Sequence, residues 1–118
     1  MKYSFATYLG TDSFLPGILV LNESISKYNK LYGLVVLVSE SVSKDALDLL
    51  AHVQIKTKVV AEIKNPHDLG NDDRGFKYMY TKLRLFEMFE FDKVVYIDAD
   101  MLVCGNIEQL FDILICRQ

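Results

Sequence analysis

The sequence predicts an α/β fold built on a mostly parallel sheet, and three observations lead to this prediction. Strand-like and helix-like segments alternate along the chain, an order that is typical of a parallel sheet with helices on both faces. The strand-like segments are almost continuously apolar, as in LYGLVVLVS at 31–39, which is typical of strands buried on both sides. The composition, 51% hydrophobic and 25% charged, is that of a chain that can bury a core.

The first strand and the first helix are predicted close to the amino terminus. KYSFATYL at 2–9 is rich in aromatic and β-branched residues, which favours a strand. A helix is predicted at 14–28, because residues that can cap a helix stand directly before it and a proline is tolerated in its first turn. The capping candidates are Thr11, Asp12 and Ser13.

The next segments continue the alternation of strands and helices. The apolar run at 31–39 is the second strand, and Ser43 then caps a short helix, KDALDLLAH, whose leucines recur at helical spacing. VQIKTKVVAEI at 53–63 is the third strand region. KNPHDLGNDDRG at 64–75 is polar, contains Pro and Gly and lacks periodicity, so a loop is predicted there.

The last third of the chain is predicted to repeat the helix–strand order. FKYMYTKLRLFEMFE at 76–90 is expected to form a helix, and DKVVYI at 92–97 a fourth strand. MLVC at 101–104 is expected to form a short fifth strand, and Asn106 to cap a last helical turn, IEQLF. No internal boundary is visible, so residues 1–118 are interpreted as one domain.

Charge and composition argue against several classes of protein. The net charge of −3 provides no basic excess for nucleic acid. No apolar run approaches the roughly 20 residues that span a bilayer, and the first residues lack the apolar core of a signal peptide. Cys104 and Cys116 form neither a disulfide framework nor a CxxC pair, so a reducing, cytoplasmic location is predicted. The oligomeric state is left open.

Two carboxylates follow the fourth strand in KVVYIDAD. If the backbone stays extended, residues i and i+2 point to the same side, so Asp98 and Asp100 project together. Mg²⁺ and Mn²⁺ often bind one or two carboxylates together with substrate phosphates, and open α/β sheets bind ligands beyond the carboxyl ends of their strands. The sequence leaves two interpretations open, a metal site and a solvated strand end with two ordinary acids.

Lys82 occupies an unexpected position in the helix predicted at 76–90. At about 100° per residue it falls between Phe86 and Phe89, inside the apolar arc of the helix. A lysine there either extends its aliphatic stem so that the ammonium group reaches water, or has an anionic partner, such as a diphosphate held by a metal at the aspartates. Both interpretations remain open.

The turn YLGTDSF at 8–14 joins the first strand to the first helix. Backbone N–H groups at a helix start bind anions, and Gly10 permits a close approach to the backbone. The turn matches neither GxGxxG nor a Walker motif, so a dinucleotide or P-loop site is disfavoured. Phe14 can either stack on a base or pack in the core.

Three segments together resemble glycosyltransferase family 8, the group that includes glycogenin and galactinol synthase. They are FATYLGTDSFLPGILVLNESI (5–25), YGLVVLVSESVS (32–43) and YMYTKLRLFEMFEFDKVVYIDADMLVCGNIEQLF (78–111). The D-x-D alone is weakly specific. Its combination with T-K-L sixteen residues ahead and NIEQLF behind it is strongly specific.

The resemblance implies a GT-A type fold, a Rossmann-like sheet that binds a UDP-sugar, with this chain as its N-terminal, donor-binding portion. It implies that Asp98 and Asp100 hold Mn²⁺ (or Mg²⁺), that Asp98 and Ala99 lie beside the ribose, and that Lys82 contacts the donor's phosphate or sugar. Further donor contacts are implied for the following residues: Thr7, Tyr8 and Leu9 in the uridine pocket, Thr11 near the uracil, Phe14 as a stacking ring, Tyr78 near the ribose or base, and Arg74 from the preceding loop.

The reaction that the resemblance implies is transfer of a hexose from a UDP-sugar to a hydroxyl acceptor, with retention at the anomeric carbon. The family's third metal ligand is a downstream histidine, whereas His52 and His67 both lie upstream of the D-x-D, and DILICRQ does not resemble the family's continuation. A non-catalytic UDP- and metal-binding domain is therefore an alternative. A phosphatase with an aspartate nucleophile is a third, disfavoured because that chemistry usually places its D-x-D after the first strand.

Overall fold

The computed structural model describes residues 2–61 and 90–112. Its helices and strands are β1 (Tyr3–Leu9), α1 (Leu15–Tyr28), β2 (Leu34–Ser39), α2 (Lys44–His52), β3 (Lys56–Val60) and β4 (Lys93–Tyr96). Short 3₁₀ helices are present at Asp12–Phe14 and Glu108–Asp112. The strands pair in parallel in the order β3-β2-β1-β4. The predicted α/β class with a mostly parallel sheet is confirmed.

Most element predictions agree with the structure where the structure describes the chain. The four strands lie inside their predicted ranges, and all six residues of β2 are buried, as its apolar composition predicted. The loop predicted at 64–75 lies outside the described residues, and so does the helix predicted at 76–90, except for its last residue. Among the residues described, no helix is long and apolar enough to cross a membrane.

The two faces of the sheet have different partners. Phe5 and Leu9 of β1 point to the face that carries α1 and α2, where the main core forms with Ile18, Leu21 and Leu50. We call this the helix-bearing face. The second face presents a smaller buried cluster, made up of Ala6, Tyr8, Val35, Leu37 and Val60. In the described part of the chain, α1 and α2 both pack on the helix-bearing face. The prediction of helices on both faces is therefore confirmed for the helix-bearing face alone.

Local capping interactions explain why the bounds of α2 were predictable. The Ser43 side chain accepts a hydrogen bond of 3.1 Å from the backbone N–H three residues later. At the other end, Ile55 N donates to Leu50 O (2.9 Å) and Gln54 N donates to Ala51 O (3.0 Å). This is a Schellman ending, in which Gln54 takes the left-handed position (φ 65°) that usually favours glycine.

The prediction of a fifth strand at 101–104 is wrong, because this segment runs along α1 instead of pairing with the sheet. Val103 N donates to the hydroxyl of Ser24 in α1 (3.1 Å), and that hydroxyl donates to Leu21 O (2.8 Å). A helix side chain therefore supplies the hydrogen bond that a neighbouring strand would otherwise provide. Apolar composition could not distinguish these two arrangements.

Asn29, at the carboxyl end of α1, holds the continuation of this segment. Its buried side-chain amide donates to Gly105 O (3.3 Å), and its Oδ1 accepts a bond from Ile107 N (2.8 Å). The same amide donates to Ile25 O (3.2 Å), within α1. Asn29 thus joins the end of the helix to the chain that leads into the last 3₁₀ helix.

The end of the described chain packs at the amino end of the sheet. The Phe111 ring lies within 5.4 Å, centroid to centroid, of three other aromatic rings: Tyr3, Phe5 and Tyr32. Asn106 Oδ1 accepts a hydrogen bond of 2.9 Å from Glu108 N, so the predicted cap of the last helical turn is confirmed. The NIEQLF motif therefore anchors the segment that follows the two aspartates.

Candidate functional site

The two aspartates lie just beyond β4, at the carboxyl end of the sheet. Ile97 N still donates to Ala6 O of β1 (2.8 Å), but the backbone then turns, and Met101 N donates to Asp98 O (3.1 Å). We call residues 98–101 the DAD turn. The backbone is therefore not extended between Asp98 and Asp100, and the alternation argument does not apply. Both side chains are nevertheless exposed on the same tight turn.

Tyr96 is a neighbour of this site that the sequence interpretation missed. It is the last residue of β4 and pairs with Ala6, two residues before Tyr8 along β1, so both tyrosines belong to the second face. Burial raises the pKa of Tyr96 well above its usual value, and the charge and hydrogen bond of the Asp98 carboxylate raise it further. Tyr8 and Asp100 add smaller contributions. Tyr96 is therefore a protonated phenol that donates a hydrogen bond to Asp98.

Helix α1 contacts the DAD turn through a glycine. A Cβ atom built on Gly17 would lie 2.9 Å from the Ala99 carbonyl oxygen, closer than real Cβ atoms come to such an atom. Ala99 is half-buried and packs against the main core. The first turn of α1, at the positive end of the helix dipole, thus adjoins the turn that carries both carboxylates.

The residues of β1 that were expected to line a uridine pocket are mostly core residues. Thr7 and Leu9 are fully buried on the helix-bearing face, so their side chains do not reach the surface. The Thr7 hydroxyl has no hydrogen-bond partner within the described ranges. Tyr8 is 8% exposed and lies on the second face, on the same side of the sheet as Tyr96. Any contact of Thr7 or Leu9 with a ligand would involve backbone atoms.

The turn after β1 differs from its predicted capping role. Thr11 is exposed, and its side chain makes no capping bond to the backbone. Its hydroxyl is instead hydrogen-bonded to the Ser13 hydroxyl at 2.7 Å. Asp12 instead accepts a hydrogen bond of 2.9 Å from Ser43 N, at the start of α2. The expectation that these three residues cap the first helix is therefore wrong. Phe14 is 57% exposed, which excludes the core interpretation and leaves stacking as the open alternative.

The donor set of the site is a pair of carboxylates. Within 2–61 and 90–112, no group of three or more His, Cys, Asp or Glu side chains is placed to hold a metal ion. His52 is exposed at the end of α2, and Arg74, Tyr78 and Lys82 lie outside the described residues. Two exposed carboxylates fit Mn²⁺ or Mg²⁺ in the mode in which ligand phosphates and water complete the coordination.

A separate cleft of about 620 Å³ opens at the other end of the sheet. It is lined by residues at the amino ends of the strands, among them Lys2, Tyr3, Tyr32, Lys56, Lys58 and Phe91. Neither aspartate of the DAD turn borders it. The cleft and the two aspartates therefore lie at opposite ends of the sheet.

Comparisons with known proteins identify relatives over nearly the whole chain. The model of glycosyl transferase family 8 matches residues 6–116. Inositol phosphorylceramide glucuronosyltransferase 1 of Arabidopsis thaliana is 38% identical over 110 residues, which cover 93% of this chain and 20% of that protein. Galactinol synthase 2 of Arabidopsis thaliana is 30% identical over 114 residues, covering 95% of this chain and 34% of that protein.

A solved structure supports the fold. The apo structure of the bifunctional glycosyltransferase WbbM superposes with a TM-score of 0.63 at 22% sequence identity, over 96% of this chain and 21% of that chain. At this identity the likeness bears on the fold alone. The chain thus spans about a fifth to a third of the length of these proteins.

Proposed function

The chain belongs to glycosyl transferase family 8, and on that basis we propose that it forms the donor-binding part of an enzyme that transfers a hexose from a UDP-sugar to a hydroxyl acceptor, with retention. One observation carries the proposal. Asp98 and Asp100 lie exposed on one turn at the carboxyl end of β4, next to the first turn of α1. In an open α/β sheet this edge is where ligands bind.

In this proposal Asp98 and Asp100 hold Mn²⁺ or Mg²⁺. The bound cation would neutralise the diphosphate of the leaving group and so stabilise its departure. The Tyr96 phenol orients the Asp98 carboxylate by its hydrogen bond. The partial positive charge at the start of α1 favours a phosphate at the same edge of the sheet.

The remaining donor contacts are part of the same proposal. Ala99 lies in the DAD turn, where its backbone can approach a ribose, and exposed Phe14 presents a ring on which a base can stack. The other proposed donor contacts are the backbone of Thr7 and Leu9, the side chains of Tyr8 and Thr11, and Arg74, Tyr78 and Lys82 beyond the described ranges. A cytoplasmic location also remains a proposal.

The alternative is a non-catalytic domain that binds UDP and a metal ion without transferring a sugar. It is favoured by the donor set, since the part of the chain that the structure describes holds two carboxylates at the site and no larger group of metal ligands. The aspartate-nucleophile phosphatase loses its support, because the D-x-D follows β4 and the chain belongs to a glycosyl transferase family.

The first prediction concerns UDP binding and its dependence on Mn²⁺. We expect calorimetry to detect Mn²⁺-dependent UDP binding, and we expect Asp100→Ala to weaken this binding at least tenfold. Replacing a residue that only hydrogen-bonds to a metal ligand already costs about 10–100-fold in metal affinity, so loss of a ligand should cost at least as much. Asp48→Asn removes the same charge from the exposed side of α2 and should leave the affinity unchanged. UDP affinity that does not respond to Mn²⁺ would reject the proposed site.

A second measurement distinguishes the two candidate functions. Incubation of the Mn²⁺-loaded chain with a panel of UDP-sugars, and with water or simple sugars as acceptors, tests for release of UDP. Release that depends on Asp100 supports the transferase. Tight binding without release for every sugar supports the non-catalytic domain.

A further inference from the structure

We propose that Gly17 is a positioning residue for the DAD turn: the absence of a side chain at Gly17 sets how Asp98 and Asp100 present their carboxylates to a cation. The observation is the 2.9 Å separation between an ideal Cβ on Gly17 and the Ala99 carbonyl oxygen. This inference rests on the proposed metal site and adds to it a residue about eighty positions away in the sequence.

The backbone of α1 does not itself require glycine at this position. Gly17 lies in the first turn of the helix and does not adopt the left-handed φ that side chains avoid. Alanine is a better helix former than glycine, so helix formation favours a different residue there. The close approach of Ala99 is the feature that accounts for a glycine.

The contact cannot be relieved by moving a side chain, because the opposing atom is a backbone carbonyl oxygen. The chain is also held on both sides of the DAD turn, by the bond from Ile97 N to Ala6 O and by the bond from Val103 N to the Ser24 hydroxyl. An added Cβ would therefore displace the backbone between these two anchors. That stretch contains Asp98 and Asp100, so both carboxylates would be reoriented.

The matched test compares Gly17→Ala with Gly33→Ala, since a Cβ on Gly33 would meet no atom within 4 Å. Gly17→Ala should lower the affinity for Mn²⁺ in the presence of UDP about tenfold or more. This is the range typical of residues that orient metal ligands without binding the metal themselves. A thermal melt of each variant checks that it is folded. Gly33→Ala should bind Mn²⁺ like the unmodified chain.

Two results would overturn the inference, and they have different meanings. If the unmodified chain binds no Mn²⁺, the proposed metal site fails and the positioning role fails with it. If the unmodified chain binds Mn²⁺ and Gly17→Ala binds it equally well, the positioning role alone is overturned and the metal site stands.

A measurement on the unmodified chain covers the case in which Gly17→Ala does not fold. Bound Mn²⁺ should broaden the amide NMR signal of Gly17 strongly, because Gly17 contacts the DAD turn. The signal of Gly33 should be broadened much less, because Gly33 precedes β2 at the opposite end of the sheet. A sharp Gly17 signal in the Mn²⁺-loaded chain would overturn the inference.

Discussion

The Thr7 hydroxyl is a buried polar group without a hydrogen-bond partner in the part of the chain that the structure describes. It lies on the helix-bearing face of the central strand β1, beside the apolar residues of the main core. Burying a hydroxyl without a hydrogen bond costs about 1–3 kcal/mol in proteins. Thr7 therefore lowers the stability of the fold at the strand that leads into the proposed site.

Replacing Thr7 by valine, which has nearly the same shape, should raise the free energy of unfolding by about 1 kcal/mol. Urea unfolding checks this, with Thr57→Val on the exposed side of β3 as the control, where a change below about 0.5 kcal/mol is expected. UDP affinity should be unaffected if Thr7 contacts the ligand through backbone atoms. A loss of stability in Thr7→Val would mean that the hydroxyl is satisfied in the folded chain.

The sequence singled out the two acidic residues of the proposed site but not the residues that contact them in the fold. Asp98 and Asp100 were predictable because a buried strand ending in two acids is a local pattern. Tyr96 and Gly17 were not, because their roles depend on which strand pairs with β4 and how closely α1 approaches the turn. Such contacts between distant segments have no counterpart in local spacing.

Between elements, Asp12 joins the 3₁₀ helix after β1 to the start of α2. Hydrogen bonds from the Ser43 side chain and backbone hold the pKa of Asp12 below its usual value of 3.8. A lowered pKa in the folded state means that the folded chain stabilises the carboxylate form of Asp12 more than the unfolded chain does. The stabilisation is complete above the pKa of the unfolded chain and is lost as the pH falls through the lower pKa of the folded chain.

We therefore expect Asp12→Asn to reduce stability at neutral pH and to reduce it progressively less as the pH falls below about 4. Urea midpoints measured from pH 7 to pH 2.5 give the profile. In a Ser43→Ala background the pH-dependent difference should shrink, because one of the two hydrogen bonds to Asp12 is gone. An equal effect of Asp12→Asn at every pH would show that the carboxylate charge makes no contribution.

Elements with internal caps were predicted better than segments that depend on a partner. The bounds of α2 were predictable because Ser43 caps it locally and the helix ends within its own sequence. The segment at 101–104 was assigned to a strand because it is apolar, yet Ser24 of α1 accepts the backbone hydrogen bond of Val103, and Asn29, just after α1, bonds the backbone of Gly105 and Ile107. The choice between a strand and a helix as partner is made by tertiary structure.

Across the whole molecule, the two ends of the sheet differ in chemistry. The carboxyl end carries the DAD turn, and the amino end carries the cleft lined by Lys2, Lys56 and Lys58. β1 has seven residues, so the two ends lie about 20 Å apart, well beyond the screening length of about 8 Å at physiological salt. Charges at the amino end should therefore contribute little to a ligand at the carboxyl end.

The corresponding prediction is that Lys56→Glu changes Mn²⁺-dependent UDP affinity by less than about twofold at physiological salt. Lys56 is exposed at the start of β3, so the change should leave the fold intact, which a thermal midpoint checks. Asp100→Ala measured in parallel gives the scale of a direct effect. A loss of affinity in Lys56→Glu comparable to that of Asp100→Ala would place the nucleotide in the cleft instead.

The chain from Ala99 to Ile107 contacts α1 at Gly17, then at Ser24, then at Asn29. Each residue added to a helix rotates everything beyond it by about 100° and advances it by about 1.5 Å. One residue inserted between Gly17 and Asn29 would thus turn Ser24 or Asn29 away from its partner. The lengths of these two distant segments are therefore coupled, and an insertion in one requires a compensating change in the other.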